Sequence, residues 1–282
     1  MQSGVGSRTK HIDLHIHTKY SDGSLSEQEV VDMAFQKNLK AIAITDHDCI
    51  DAYPLAQKLG SELDIEVIPA VELSSEIEGM DIHILGYYID DTNEDFIRKL
   101  AEMKRARYKR AKKMVENLND QGTDLRFETV LNIAGKGAVG RPHIAAALLK
   151  EELVYSFREA FDKYIGYDSP AYVKKMILHP KEVFDLIREA NGLPILAHPG
   201  VTKVNDRLDE FMRDGLAGLE VYHSEHSQSQ TRHYLRFCKT HDLSYSGGSD
   251  FHSIAHYRAE IGVPRVPYNA LKSLKEKHQS LS

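Results

Sequence analysis

The chain has 282 residues, 41% hydrophobic and 28% charged, which is enough for one large domain or two ordinary ones. A net charge of -6 excludes a surface built as a whole to hold nucleic acid. Two cysteines are too few for a disulfide framework and suit a reducing cytoplasm; the polar stretch 1–10 has no apolar core of a signal peptide, and no run is long enough to span a membrane.

His11 to His17 reads as a buried strand ending in His15 and His17, which share a face because they are two apart. A turn carrying Asp22 follows. Ser26 and Glu29 form a capping box that opens a helix reaching about Asn38. The apolar run 41–44 is a strand that stops abruptly at Thr45-Asp46-His47-Asp48. A helix over 52–62 precedes a strand over 67–71 that ends at Glu72. An alternating strand, 81–87, contains His83.

From 92 to 174 the pattern is helical only, with helices expected over 92–121, 126–134, 142–152 and 157–164. The α/β rhythm then resumes. His179-Pro180 opens a helix that reaches Asn191, with Gly192 as its C-cap. Strands over 193–196, 218–222 and 243–246 end at His198, at His223 and before Asp250 and His252. Helices over 208–214 and 229–241 lie between them, and a polar helical tail covers 268–282. About seven strands, most followed by helices, predict a barrel-like α/β fold with an all-helical insertion. The domains are then 1–91 plus 175–282, and 92–174 as a cap. In such barrels the C-terminal strand ends form the active face.

Taken alone, each cluster has an ordinary reading: a solvated His pair, a capping turn, an Asx-turn, a core histidine. Together they recur at one structural position. Burying so many ionisable groups in one place is prohibitive without compensation, and divalent cations supply it. Imidazole with carboxylate suits Zn, Mn or Fe without choosing among them.

His15-x-His17 with Ser21-Asp22-Gly23, Thr45-Asp46-His47-Asp48, Glu72, His83, Ala197-His198-Pro199 and Ser249-Asp250-Phe251-His252 resemble the motifs of the PHP (polymerase and histidinol phosphatase) superfamily. Gly140-Arg141-Pro142-His143, Ala160 to Gly166 and Pro170 to Lys175 resemble a stand-alone phosphoesterase branch. That branch includes AMP and 3',5'-nucleoside bisphosphate phosphatases and 5'-3' exoribonucleases. The resemblance implies a distorted (β/α)7 barrel with up to three metal ions, Mn2+ first, with Fe2+ or Zn2+ as alternatives. It places His15, His17, Glu72 and Asp250 on one ion, Glu72, His83 and His198 on a second, and Asp22, His47 and His252 on a third.

The expected activity is that of a phosphoric ester hydrolase (EC 3.1). A metal-bridging hydroxide would attack in line the phosphorus of AMP or a 3',5'-nucleoside bisphosphate. Trimming of short RNA is the alternative, and a non-catalytic metal-binding protein a second. Histidinol phosphate fits poorly with the Gly-Arg-Pro-His insertion. Arg141 follows a glycine-rich stretch at a helix start, so its planar fork is the expected phosphate ligand. His143 is expected to contact phosphate or to pack the insertion. Of His223 and His226, His226 is favoured as proton donor or phosphate ligand. Asp46 and Asp48 are expected to orient ligands. The basic run Lys104 to Lys113 reads mainly as a solvated helix face, with RNA contact as its functional version. No stable protein partner is expected.

Overall fold

A computed structural model describes residues 10–174, 178–252 and 259–281. The leading segment 1–9 and Lys175, at the expected domain boundary, lie outside the described residues. Two sheets carry the fold. The first has the order β3 (Glu66–Ile68), β2 (Leu39–Ile44), β1 (His11–Ile16), β9 (Val266–Pro267). The second runs β4 (Ala70–Ile77), β5 (Met80–Tyr87), β6 (Leu193–Leu196), β7 (Gly218–His223), β8 (Ser244–Gly248).

The expected strand over 67–71 is in fact two. Pro69 has no N–H for a ladder, so the chain leaves the first sheet there and restarts in the second at Ala70. Glu72 therefore sits inside β4 rather than at a strand end. β4 and β5 form an antiparallel hairpin, and β5 also pairs antiparallel with β6. These reversals replace the parallel βα rhythm expected of a (β/α)7 barrel. The fold is mixed α/β, and its two sheets are not joined by a continuous ladder. They meet at two isolated parallel bridges, Ile16 with Phe251 and His47 with Glu72. Both bridges lie beside the residues singled out above.

Helices cover the sheets. α1 (Glu27–Gln36) starts with the Ser26/Glu29 capping box, and α2 (Tyr53–Glu62) has Pro54 in its first turn. α7 (Pro180–Glu189), α8 (Pro199–Thr202), α9 (Leu208–Asp214), α10 (Gln228–Thr240) and α11 (Tyr268–Leu281) follow the insertion. Within the insertion lie α3 (Glu94–Asp120), α4 (Phe127–Ala134), α5 (Arg141–Lys150) and α6 (Phe157–Ala160), the last continued by a wide turn, Phe161–Ile165. α3 links two cores. Phe96, Leu100 and Met103 pack with Leu73, Ile84 and Phe184 of the sheet region, whereas Met114, Val115 and Leu118 pack with Val130, Ile144 and Leu148. Each such buried aliphatic side chain contributes about 1.5–3 kcal/mol relative to exposure. The helical segment is thereby joined to the sheet region through the first half of α3.

Candidate metal centre

Two imidazoles of the cluster come from the end of β1. His15 Nε2 and His17 Nε2 are 3.1 Å apart, on the shared face that period-2 alternation requires. Both approach the same two oxygens. Glu72 Oε2 lies 3.2 Å from His15 and 3.1 Å from His17, and Asp250 Oδ1 lies 3.2 Å from each. The other Glu72 oxygen is 3.1 Å from His83 Nδ1 and 3.2 Å from His198 Nε2. His47 Nδ1 is 3.3 Å from Glu72 Oε2, and His252 Nε2 is 3.3 Å from Asp22 Oδ1.

Local backbone explains how these groups reach one point. β5 runs antiparallel to its neighbours, so His83 reaches the cluster from the first half of its strand, opposite Ser74 of β4. His198 and Asp250 follow β6 and β8 with φ of 29° and 53°. Positive φ is costly for residues other than glycine and persists where the surroundings enforce it. At both positions it turns the chain just past a strand.

A ring of hydrogen bonds fixes the orientation. His15 Nδ1–H donates to Glu220 Oε1 at 2.9 Å, which directs the lone pair of Nε2 into the cluster. The other Glu220 oxygen accepts the His198 backbone N–H at 2.8 Å. Asp46 accepts from the Thr18 N–H (2.7 Å), the Thr18 hydroxyl (2.6 Å) and the Ser21 hydroxyl (2.6 Å). Asp13 accepts from the backbone of Ser249 (2.9 Å) and Gly262 (2.7 Å), so it ties strands together.

Carboxylates and imidazoles of this cluster balance one another only while the imidazoles carry protons. Burial would raise the Glu72 carboxyl, yet His47, His15 and His83 hold it well below the usual range. Asp22 and Asp250 behave alike against their histidines. Burial opposes charge on His252, but Asp22 and Asp250 push it up to about 10. Burial keeps His47 well below its ordinary value. Asp22 Oδ1 and His47 Nδ1 are buried, and their 3.3 Å contacts to His252 and Glu72 lack good hydrogen-bond geometry. Ring nitrogens facing each other and shared carboxylates are the donor set of divalent cations. Three groups have ligand atoms within 4.8 Å of one another: His15, His17, Glu72 and Asp250; His17, Asp22, His47 and His252; and His47, Glu72 and His83.

The cluster opens into a cavity of about 300 Å³. Arg107, Arg110 and Arg141 line it together with His198, His223 and Asp250. Arg141, the second expected feature, begins α5. Its guanidinium lies 4.3 Å from the Tyr167 ring centre, donates to the Tyr167 hydroxyl at 3.0 Å, and has Asp81 at 3.9 Å.

The structure places His226 elsewhere and His143 in the packing of the insertion, the second of its two expected roles. His226 does not line the cavity: its Nδ1–H donates to the Val221 carbonyl at 3.0 Å and its Nε2 accepts the Gly200 N–H at 3.1 Å. His223 lines it instead, with Nδ1 accepting the Glu225 N–H and Nε2 lying 3.3 Å from Asp250 Oδ2. His143 is not among the residues that line this cavity. Its Nδ1 accepts the Gly140 N–H at 2.9 Å, and its ring borders a neighbouring cavity between the insertion and the loop before α1.

Sequence reading also missed four contributors: Glu220, Asp81, Arg107 and Arg110. Glu220 had a usable signal, as the lone charge inside the apolar strand Gly218-Leu219-Glu220-Val221. Arg107 and Arg110 were hidden in a run of similar residues.

Residues 13–190 match the PHP domain family. A 5'-3' exoribonuclease of Haemophilus influenzae is 33% identical over 249 residues, covering 86% of this chain and 90% of the relative. A 3',5'-nucleoside bisphosphate phosphatase of Chromobacterium violaceum is 28% identical, covering 89% and 90%. A crystal structure described as a metal-dependent phosphoesterase of Bifidobacterium adolescentis superposes with a TM-score of 0.87 at 27% identity, covering 96% and 97%.

Proposed function

This chain belongs to the PHP domain family, and from that membership we propose that its cavity hydrolyses a phosphate ester of a small nucleotide, AMP or a 3',5'-nucleoside bisphosphate. It is a metal-dependent phosphoesterase, a phosphoric ester hydrolase. The observation that carries the substrate reading is one cavity lined both by a buried histidine and carboxylate cluster and by arginines. The first supplies cation ligands and the second supplies phosphate ligands.

His15, His17, Glu72 and Asp250 would hold one ion; Glu72, His83 and His198 a second; Asp22, His47 and His252 a third. Mn2+ is the first choice, with Fe2+ and Zn2+ to be compared. Divalent ions bound there would lower the pKa of water toward neutrality and neutralise phosphoryl oxygens. Arg141 receives the phosphoryl group with its planar fork, and the Tyr167 ring fixes the plane of that fork. His223, with Nδ1 engaged by backbone, offers its Nε2 proton to the departing oxygen. His143 closes the first turn of α5 and so places Arg141. The insertion 92–174 acts as a cap on a distorted barrel. Among the described residues no helix is long and apolar enough to cross a membrane, and two buried free cysteines suit a cytoplasmic site of action.

Purified protein loaded with each metal is assayed for phosphate release from AMP, a 3',5'-bisphosphate and histidinol phosphate, alongside a 5'-labelled oligoribonucleotide. Release from the nucleotides, lost in Arg141→Ala with metal content retained, supports the proposal. Shortening of RNA without phosphate release would replace it with the exoribonuclease reading carried by the Haemophilus relative's name. Inertness of the metal-loaded protein towards all four would overturn both.

A further inference from the structure

Arg107 belongs to the helical insertion, yet it meets the strands that carry candidate metal ligands. Met103 of α3 is packed in the core of the sheet region, and Arg107 follows it one turn later on the same helix face. Its Nε and Nη2 lie 2.6 and 2.5 Å from Asp48 Oδ2, and Nη2 donates to the Ser74 hydroxyl at 2.9 Å. Asp48 closes the ring: its Oδ1 accepts the Ser74 N–H at 3.0 Å, and its own N–H donates to the Glu72 carbonyl at 2.9 Å. Asp48 is buried and keeps a φ of 52°. That conformation is costly for a residue other than glycine and persists where the contacts enforce it.

The ring holds three candidate ligands through their backbones. His47 precedes Asp48 and bridges to Glu72. Glu72 lies two residues before Ser74, so both share one face of β4. His83 stands opposite Ser74 in the ladder of β4 and β5. These three residues form one of the groups whose ligand atoms lie within 4.8 Å of one another. His15, by contrast, is oriented by Glu220. We propose that Arg107 is a positioning residue for the metal centre. Through Asp48 and Ser74 it keeps His47, Glu72 and His83 in place, so that the insertion helix completes the ion sites. This rests on the metal-dependent reading above and adds to it a structural role for the insertion.

The test measures Mn2+ content by elemental analysis and Mn2+ affinity by titration calorimetry. Wild type is compared with Arg107→Lys and with Arg107→Met combined with Asp48→Asn. The lysine keeps the charge but loses the fork, and the double variant removes both charges, so that neither is left buried alone. The double variant is expected to bind the ions that draw on His47, Glu72 and His83 about 10–100-fold more weakly, and to retain the ion on His15, His17 and Asp250. Its phosphate release from a nucleotide should recover as Mn2+ is raised, which a misfolded site would not show. Arg107→Lys should lie between, and a thermal melt checks each variant's fold. Wild-type content and affinity in both folded variants, or equal weakening of every ion, would overturn the positioning role and leave the phosphoesterase reading intact. Selective ion loss in the variants of a wild type that hydrolyses no ester would leave the positioning role standing and remove the proposed function. A wild type that takes up no divalent ion would overturn both.

Discussion

Glu220 is buried and makes no approach to the cavity, yet it controls which nitrogen His15 presents. Its two oxygens hold the His15 ring and the His198 backbone at once. Hydrogen bonds of this kind fix the tautomer and basicity of a metal-ligating histidine, and their loss commonly costs about 10–100-fold in metal affinity. Glu220→Gln is therefore expected to weaken Mn2+ binding by about that range while leaving the fold intact, as read by metal titration and a thermal melt. Unchanged affinity would remove Glu220 from the orienting role. The clustering of His15, His17, His47, His198, Asp250 and His252 was legible because several strands stop just before His or Asp, whereas Glu72 and His83 lie within strands and Asp22 in a turn. Arg107 and Arg110 were not legible, because a run with seven Lys and Arg between 104 and 113 gives no sign of which face is covered. His226 misled because a one-turn difference after β7 decides between cavity and backbone.

At the scale of elements, the short strands were readable from apolar runs, but their pairing was not. Pro69 splits one apparent strand into two that belong to different sheets, and the antiparallel hairpin of β4 and β5 has no distinct apolar signature. The join between β1 and β8 depends on close approach. An added Cβ at Gly248 would lie 2.3 Å from the His15 N and 2.4 Å from its Cβ. Asp13 and Ser249 hold this seam, with the Asp250 N–H donating to the His15 carbonyl at 2.9 Å. Gly248→Ala must push the strands apart and is expected to destabilise by about 1–3 kcal/mol. Because His15 and Asp250 flank the seam, metal content should fall with it. A variant with wild-type melting temperature and full metal content would show that the seam is more compliant than its contacts indicate.

For the whole molecule, the site is a concentration of buried charge that some cation must balance, either protons or metal. His252 is opposed by burial but raised to about 10 by Asp22 and Asp250, and His15 and His198 are also raised, against burial, by their carboxylates. A histidine raised in this way stabilises the metal-free fold fully below its unfolded value near 6.5, and that stabilisation is lost as pH rises through its folded value. Metal-free protein should thus lose melting temperature between about pH 7 and pH 10, and metal-loaded protein should not, since the ions replace the protons. Loading must expel those protons, because ligating imidazoles are neutral. Titration calorimetry at pH 7.5 in buffers of different ionisation enthalpy should report net proton release on Mn2+ binding. Binding enthalpies independent of buffer would mean that the cluster is already deprotonated, and that another charge balances its carboxylates.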